Sequence, residues 1–134
     1  MSDETPTPNP LIAVIRNIID IPEAEELSDA VISEAIDEAT VFVNGVANPA
    51  SPLDMKNLAI KNLAALWSFQ SYSDRVHHEA IGSFDENANW NPILSRAWER
   101  DTREKVAALE RRFQMIIDRI SGQVKTIPVF SSIR

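Results

Sequence analysis

The chain of 134 residues contains no cysteine and only three glycines. The absence of cysteine excludes disulfide bonds, thiol nucleophiles and zinc sites built on cysteine thiolates. Three glycines are too few for a glycine-rich loop around a phosphate group, and neither a nucleophile-elbow motif nor an HExxH motif is present. We therefore expect that this protein is not an enzyme and that it uses no cofactor.

Long apolar runs are also missing. No stretch of about 18 apolar residues exists, as a membrane-spanning helix would require. The first ten residues, MSDETPTPNP, are acidic and polar, whereas a secretory signal is basic and then apolar. We expect a protein that is synthesised in the cytoplasm and does not span a membrane.

Positive charge is scarce: 13 Lys and Arg stand against 20 Asp and Glu, which gives a net charge of −7. An acidic surface repels the phosphates of DNA, whereas nucleic-acid-binding proteins usually carry a basic patch. The charge therefore disfavours tight or sequence-specific DNA binding. It does not disfavour the passage of DNA past the protein.

What the chain does contain is a strong helical pattern. Hydrophobic residues make up 44% of the sequence, enough for one core in a domain of this length. Three pairs, Asn9-Pro10, Ser51-Pro52 and Asn91-Pro92, each join a good N-cap residue to a proline suited to the first helical position. Each pair predicts the start of a helix.

Together with the apolar spacing, these starts predict an all-α, four-helix bundle-like domain. The helices are expected at about 10–20, 28–45, 52–76 and 92–121. Gly45 and Gly122 are the expected C-terminal stops of the second and fourth helices. A loop is expected between His77 and Trp90, where the helical period breaks. The domain would thus span 10–122, between an N-terminal arm (1–9) and a C-terminal tail (123–134).

The tail, QVKTIPVFSSIR, alternates apolar and polar residues and has a charge of +2. This pattern predicts an extended strand, which leaves its backbone N–H and C=O groups unpaired unless another strand receives it. Because a helical body offers no sheet, we expect docking onto the backbone of another protein. The expected docking residues are Val124, Lys125, Ile127, Val129, Phe130 and Ile133. An alternative stays open, in which Val124, Ile127, Val129 and Phe130 fold back over their own helices.

Few side chains suggest chemistry. His77, His78 and Glu79 could ligate a metal, but neighbouring residues on a helix point about 100° apart and cannot face one ion together. Glu34, Asp37 and Glu38 share one helix face. Nothing apolar nearby would raise the pKa of one carboxyl group, as acid-base catalysis would require. We expect a solvated helix end in the first case and a solvated acidic face in the second.

Arg111, Arg112 and Arg119 form a modest basic patch late in the fourth helix, interleaved with Glu110 and Asp118. Such a mixture favours ion pairing within the chain or with another subunit over DNA readout. The tryptophans are typical of core or interface positions. The residues expected at contacts between subunits are Trp90, Trp98, Arg103, Arg111 and Arg112.

The order of these elements is informative. A short first helix is followed by an acidic helix (LSDAVISEAIDEATVFV), a central Ala- and Leu-rich helix (MKNLAIKNLAALWSF), an IGSF turn and a long last helix with a tail. Over about 27–120 this layout resembles the head-tail connector, or adaptor, proteins of tailed bacteriophages. EAIGSFDEN is similar to a turn of that family, with Ser83 where an acidic residue is expected.

The resemblance implies a virion structural protein at the head-tail junction, or neck. It implies a homo-oligomeric ring of roughly twelve subunits beneath the portal protein, with a downstream neck or tail protein as a further partner. Genomic DNA would pass through the ring without specific binding, and the tail would dock on the portal. Two other readings stay open: a small acidic helical regulator or antitoxin-like module, and a tail completion protein.

Overall fold

A computed structural model describes residues 9–24, 26–84, 92–121, 127, 128 and 130, with the backbone alone for 77–84 and 92–98. These residues form four helices and no strand: α1 (Pro10–Ile19), α2 (Asp29–Val46), α3 (Leu53–Phe84) and α4 (Pro92–Ile120). The helices pack into a bundle-like domain. The predicted all-α fold class is confirmed.

α1 begins and ends as its sequence predicts. The Asn9 side chain accepts a hydrogen bond from the Leu11 N–H at 2.9 Å, and Pro10 occupies the first helical position. At the other end Asp20 adopts the left-handed conformation, with φ at 61°, and its N–H donates to the Arg16 carbonyl. This geometry closes the helix before Pro22.

The predicted stop of α2 at Gly45 is wrong. Its start is capped by Ser28, whose hydroxyl accepts from the Val31 N–H at 3.3 Å, but the helix continues through Gly45 to Val46. The stop comes from the next two residues, because a residue before proline is disfavoured in the helical conformation and Asn48 precedes Pro49. Ala47 is already extended, with ψ at 144°.

The second cap-proline pair acts differently from the prediction. α3 begins at Leu53, and the Pro52 carbonyl accepts from the N–H groups of Met55 and Lys56 at 3.1 and 3.2 Å. Ser51 does not cap this helix but donates its hydroxyl to the Ile120 carbonyl at 3.3 Å. Ser51 therefore pairs with the last carbonyl of α4 instead of capping the N-terminus of α3.

The predicted loop is wrong for residues 77–84, because α3 runs through them to Phe84. The IGSF segment, expected as a turn, is the last part of this helix. A single glycine in a helix interior costs only about 1 kcal/mol relative to alanine, and no proline interrupts the segment. Gly82 therefore does not end the helix. The rest of the predicted loop, 85–90, and Asn91 lie outside the described residues.

α4 matches its prediction closely, since it begins at Pro92 and ends at Ile120. With 29 residues, it extends roughly 44 Å at 1.5 Å per residue. Its last carbonyl is not left open: besides Ser51, the Asn48 N–H donates to the Ile120 carbonyl at 2.7 Å. The connection between α2 and α3 therefore caps the C-terminus of α4.

α3 lies at the centre of the domain, as predicted, and packs against the other three helices. It is buried all around between Asn62 and Phe69, which is typical of a core helix. The largest fully buried apolar side chains around it come from every helix and from the C-terminal segment. They are Ile15, Ile19, Ile32, Val43, Leu63, Leu66, Phe113, Ile117 and Phe130.

Two basic side chains link the helices. Arg16 donates to the carbonyls of Ile21 and Leu27 at 3.2 and 2.7 Å and lies 2.5 Å from the Asp29 carboxylate. These bonds fix the connection between α1 and α2. On α4, the Lys105 amine donates to the carbonyl of Ile19 at the C-terminus of α1.

Candidate functional site

The outward side of α2 is acidic. The buried positions Ile32, Ala35, Ile36, Ala39 and Val43 lie on the opposite side of the helix. Glu34, Asp37 and Val41 follow one another at spacings of three and four residues, so they share a face, and all three are exposed. Glu38 is half-buried at the edge of this face and has an interaction partner within the chain. We call Glu34, Asp37 and Val41 the α2 outer face.

Val41 is unusual on such a surface, because 74% of this residue is exposed. It lies four residues after Asp37 and seven after Glu34, close to the middle of the exposed side. The acidic face predicted from the sequence therefore exists for Glu34 and Asp37. It also contains a large apolar side chain that the sequence prediction did not include.

The outward side of α4 near its C-terminal end is rich in arginine. Arg111, Arg112 and Arg119 are exposed, while Leu109, Phe113 and Ile117 point into the core. Met115 lies among the arginines with 64% of its area exposed. We call Arg111, Arg112, Met115 and Arg119 the α4 outer face.

Arg103 does not join this group, although it was predicted at the same contacts between subunits. It is exposed, but it lies two turns before Arg111 and faces the opposite flank of α4 from Arg112. Its neighbourhood includes the surface pair of Arg100 and Asp101, whose charged atoms are 3.6 Å apart. Trp90 lies outside the described residues, as does the side chain of Trp98. Contact between subunits stays a prediction for all of these residues.

The C-terminal segment contacts its own chain. The Phe130 ring is fully buried and stacks on Trp67 of α3, with ring centroids 5.5 Å apart and an angle of 9° between the planes. The Trp67 indole N–H donates to the Pro128 carbonyl at 3.0 Å. Ile127 is half-buried against the same core.

This arrangement corrects the prediction of a free strand for Ile127 and Phe130. The prediction assumed that a helical body could not satisfy the segment's backbone, but one tryptophan supplies both an apolar surface and a hydrogen-bond donor. The fold-back alternative therefore describes these two residues. Val124, Lys125, Val129 and Ile133 lie outside the described residues, and docking onto a portal stays a prediction.

Among the described residues, two buried polar atoms on α3 have no hydrogen-bond partner: the Asn62 side-chain oxygen and the Ser68 hydroxyl. The Asn62 amide nitrogen is satisfied, since it donates to the Leu58 carbonyl at 2.8 Å. An unpaired buried polar atom costs about 1–3 kcal/mol. Each of these atoms is therefore expected to lower the stability of the domain.

Two depressions on the described surface are lined by residues that form no catalytic grouping. One lies on α1 between Val14 and Pro22, beside Arg16, whose guanidinium is already held by backbone carbonyls. Another lies where the connection between α1 and α2 meets α3. Tyr72 lines it, with the Arg75 guanidinium 5.7 Å from the centre of the Tyr72 ring.

The same part of the chain shows neither a metal-binding cluster nor a membrane-spanning helix. Its residues contain no group of three or more histidines, cysteines or carboxylates that could hold a metal ion. The side chains of His77, His78 and Glu79 lie outside the described residues, although their backbone lies within α3. None of the described helices has the length and apolar character needed to cross a membrane.

The sequence predicts a core or interface position for Trp67, which is buried, but it predicts neither the partner of Trp67 nor the bonds that Arg16 and Lys105 make between elements. A partial signal existed for Arg16, because a lone arginine on an apolar helix often buries its stem and uses its head for hydrogen bonds. No local signal identified the partner of Trp67, which is 61 residues away in sequence. The three residues hold α1 and the C-terminal segment in place around α3.

The features best suited to binding are therefore surfaces: the acidic α2 outer face, the basic α4 outer face and the segment packed on Trp67. Comparison with protein-family models, with curated proteins and with solved structures finds no match to this chain.

Proposed function

We propose that this protein is a virion structural protein of a tailed bacteriophage. In this proposal it is a head-tail connector adaptor in the neck, which forms a ring of roughly twelve copies beneath the portal protein and part of the channel for DNA. The observation that carries the proposal is the succession of helices. α1 is short, α2 has an acidic outer side, α3 is buried at the centre and α4 is long, as in the family that the sequence resembles.

The surface of the chain supports an assembly role. The described residues group their exposed charges by helix, with acids on α2 and arginines late on α4. Exposed apolar side chains lie within both groups. Surfaces of this kind suit contacts between proteins better than the binding of small molecules.

The net charge supports a passive role toward DNA. With −7 per chain, a ring of such subunits would have a strongly acidic surface, and like charge weakens the adhesion of DNA. A channel for a moving genome benefits from weak adhesion. The proposal therefore includes no specific DNA contact.

The packed C-terminal segment changes how portal docking is proposed. Phe130 is buried on Trp67 in the single subunit, so adding the whole tail to a portal strand requires that this ring leaves its site. Release would uncover the Trp67 indole and free the Pro128 carbonyl for a new partner. We therefore place the opening of this contact before docking through the tail.

Mass measurement tests the proposal. The purified chain of 15.0 kDa is measured by native mass spectrometry and mass photometry over a range of concentrations, alone and with the portal protein encoded in the same genome. We expect closed rings of one defined size, alone or on the portal, with a central hole visible by electron microscopy. A stable monomer or dimer under both conditions would refute the adaptor function.

A further inference from the structure

Four large apolar side chains are exposed on the described helices, and two of them are Val41 on α2 and Met115 on α4, at 74% and 64% exposure. A single exposed apolar side chain is ordinary on a protein surface. Here Val41 and Met115 are each surrounded by charges of one predominant sign, and the two signs are opposite. This complementarity indicates which surfaces meet.

The spacing of the charges is the same on both helices. Asp37 precedes Val41 by four residues, and Arg111 precedes Met115 by four residues, so each charge lies one turn before its apolar side chain. On α2, Glu34 extends the acidic side by a further turn. On α4, Arg112 stands beside Arg111, while Asp118 is the nearby exposed acid.

The relative direction of α2 and α4 decides which arrangement of two copies brings the matching charges opposite one another. α2 and α4 end at the same end of the domain, since the Asn48 N–H just after α2 donates to the last carbonyl of α4 at 2.7 Å. Phe42 and Phe113, each within two turns of those ends, have ring centroids 6.4 Å apart. The two helices therefore run in the same sense.

If a second copy is related to the first by rotation about an axis parallel to α2 and α4, its helices point in the same direction as those of the first copy. α4 of one copy then lies parallel to α2 of the next copy, and placing Met115 on Val41 puts Arg111 opposite Asp37. A two-fold axis perpendicular to the helices would reverse one of them and lose this register. Because the two surfaces differ, the contact is heterologous, and a heterologous contact that closes produces a ring.

We propose that the α2 outer face of one copy binds the α4 outer face of a second copy of this chain. Val41 packs on Met115 at the centre, and Glu34 and Asp37 pair with Arg111 and Arg112. The inference rests on the proposed ring and specifies the contact that builds it. Arg103, on the opposite flank of α4, lies outside this contact.

Charge reversal tests the contact with two variants. The first carries Glu34→Arg and Asp37→Arg, which makes the α2 outer face basic. The second carries Arg111→Glu and Arg112→Glu, which makes the α4 outer face acidic. All four positions are exposed, so both variants are expected to fold, and circular dichroism checks this.

Each variant alone opposes like charges across the contact, and we expect its self-association to weaken roughly tenfold or more relative to the unchanged chain. An equimolar mixture should restore association, because every contact then joins a basic face to an acidic one. The restored complexes should contain the two variants in alternation, which native mass spectrometry reads from their masses.

The control is a variant with Arg103→Glu, which changes the net charge as much as Arg112→Glu alone does but lies on the opposite flank of α4, outside the contact. We expect it to associate like the unchanged chain. Reversal variants that still associate normally, or a mixture that stays monomeric, would overturn the proposed contact. Normal rings in both reversal variants would leave the adaptor function standing, whereas open chains in the mixture would support the contact and refute the closed ring.

Discussion

The side chain of Trp67 positions two residues of the C-terminal segment, Pro128 and Phe130. The indole offers Phe130 a flat apolar surface and the Pro128 carbonyl a hydrogen-bond donor. Ile127, Pro128 and Phe130 can therefore pack on a helical body without joining a sheet. In the proposed docking, the stability of this contact sets how easily the tail becomes available to the portal.

Replacing Phe130 with alanine should lower the free energy of unfolding by about 3 kcal/mol, because truncation of a buried aromatic residue removes its apolar contacts and leaves a cavity. Denaturant unfolding of the monomer at low concentration measures this. Leu53→Ala is the control, since Leu53 is 70% exposed and its truncation should change stability by less than about 0.5 kcal/mol. Equal and small effects of both substitutions would show that Phe130 is not packed.

α2 shows why the bounds of helices are harder to predict than their existence. Its apolar period and the Ser28 cap indicate a helix and its start, and both are confirmed. The rule that places a helix end at Gly45 holds for glycines in the left-handed conformation. Gly45 instead continues the helix, and the Asn48-Pro49 pair ends it.

Gly45→Ala tests this directly, because the sign of its effect differs between the two possibilities. Gly45 is exposed within α2, and a Cβ atom built on it has no atom within 4 Å. Alanine should therefore raise the free energy of unfolding by about 0.5–1 kcal/mol, since it favours the helix and restricts the unfolded chain. A loss of stability would mean that Gly45 is a left-handed stop.

The existence of the four helices can be predicted from local sequence patterns, whereas the contacts between the helices cannot. The start of α4 at Pro92 follows from its proline, and the charged outer faces of α2 and α4 follow from their periods. The Trp67 contact, the use of Ser51 at the end of α4 and the Lys105 bond to Ile19 each join residues far apart in sequence. Such pairs depend on how the helices pack, which no single segment encodes.

At the scale of the whole molecule, the two outer faces and the tail contact should respond differently to salt. Arginine and carboxylate groups at the proposed contact are exposed in the single chain, and the screening length falls from about 10 Å at 0.1 M to about 3 Å at 1 M salt. Trp67 and Phe130 are held by apolar packing and a neutral hydrogen bond, which salt does not screen. Assembly and folding can therefore be separated in one titration.

We expect that raising sodium chloride from 0.05 to 0.5 M weakens self-association roughly tenfold or more, with little change in the melting temperature of the monomer. Mass photometry follows the first quantity and circular dichroism the second. The mixture of the two reversal variants should show the same salt dependence, because it restores the same number of opposed charges. Association that is unaffected or strengthened by salt would instead assign the contact to apolar surface alone, and charge complementarity between Asp37 and Arg111 would not be its cause.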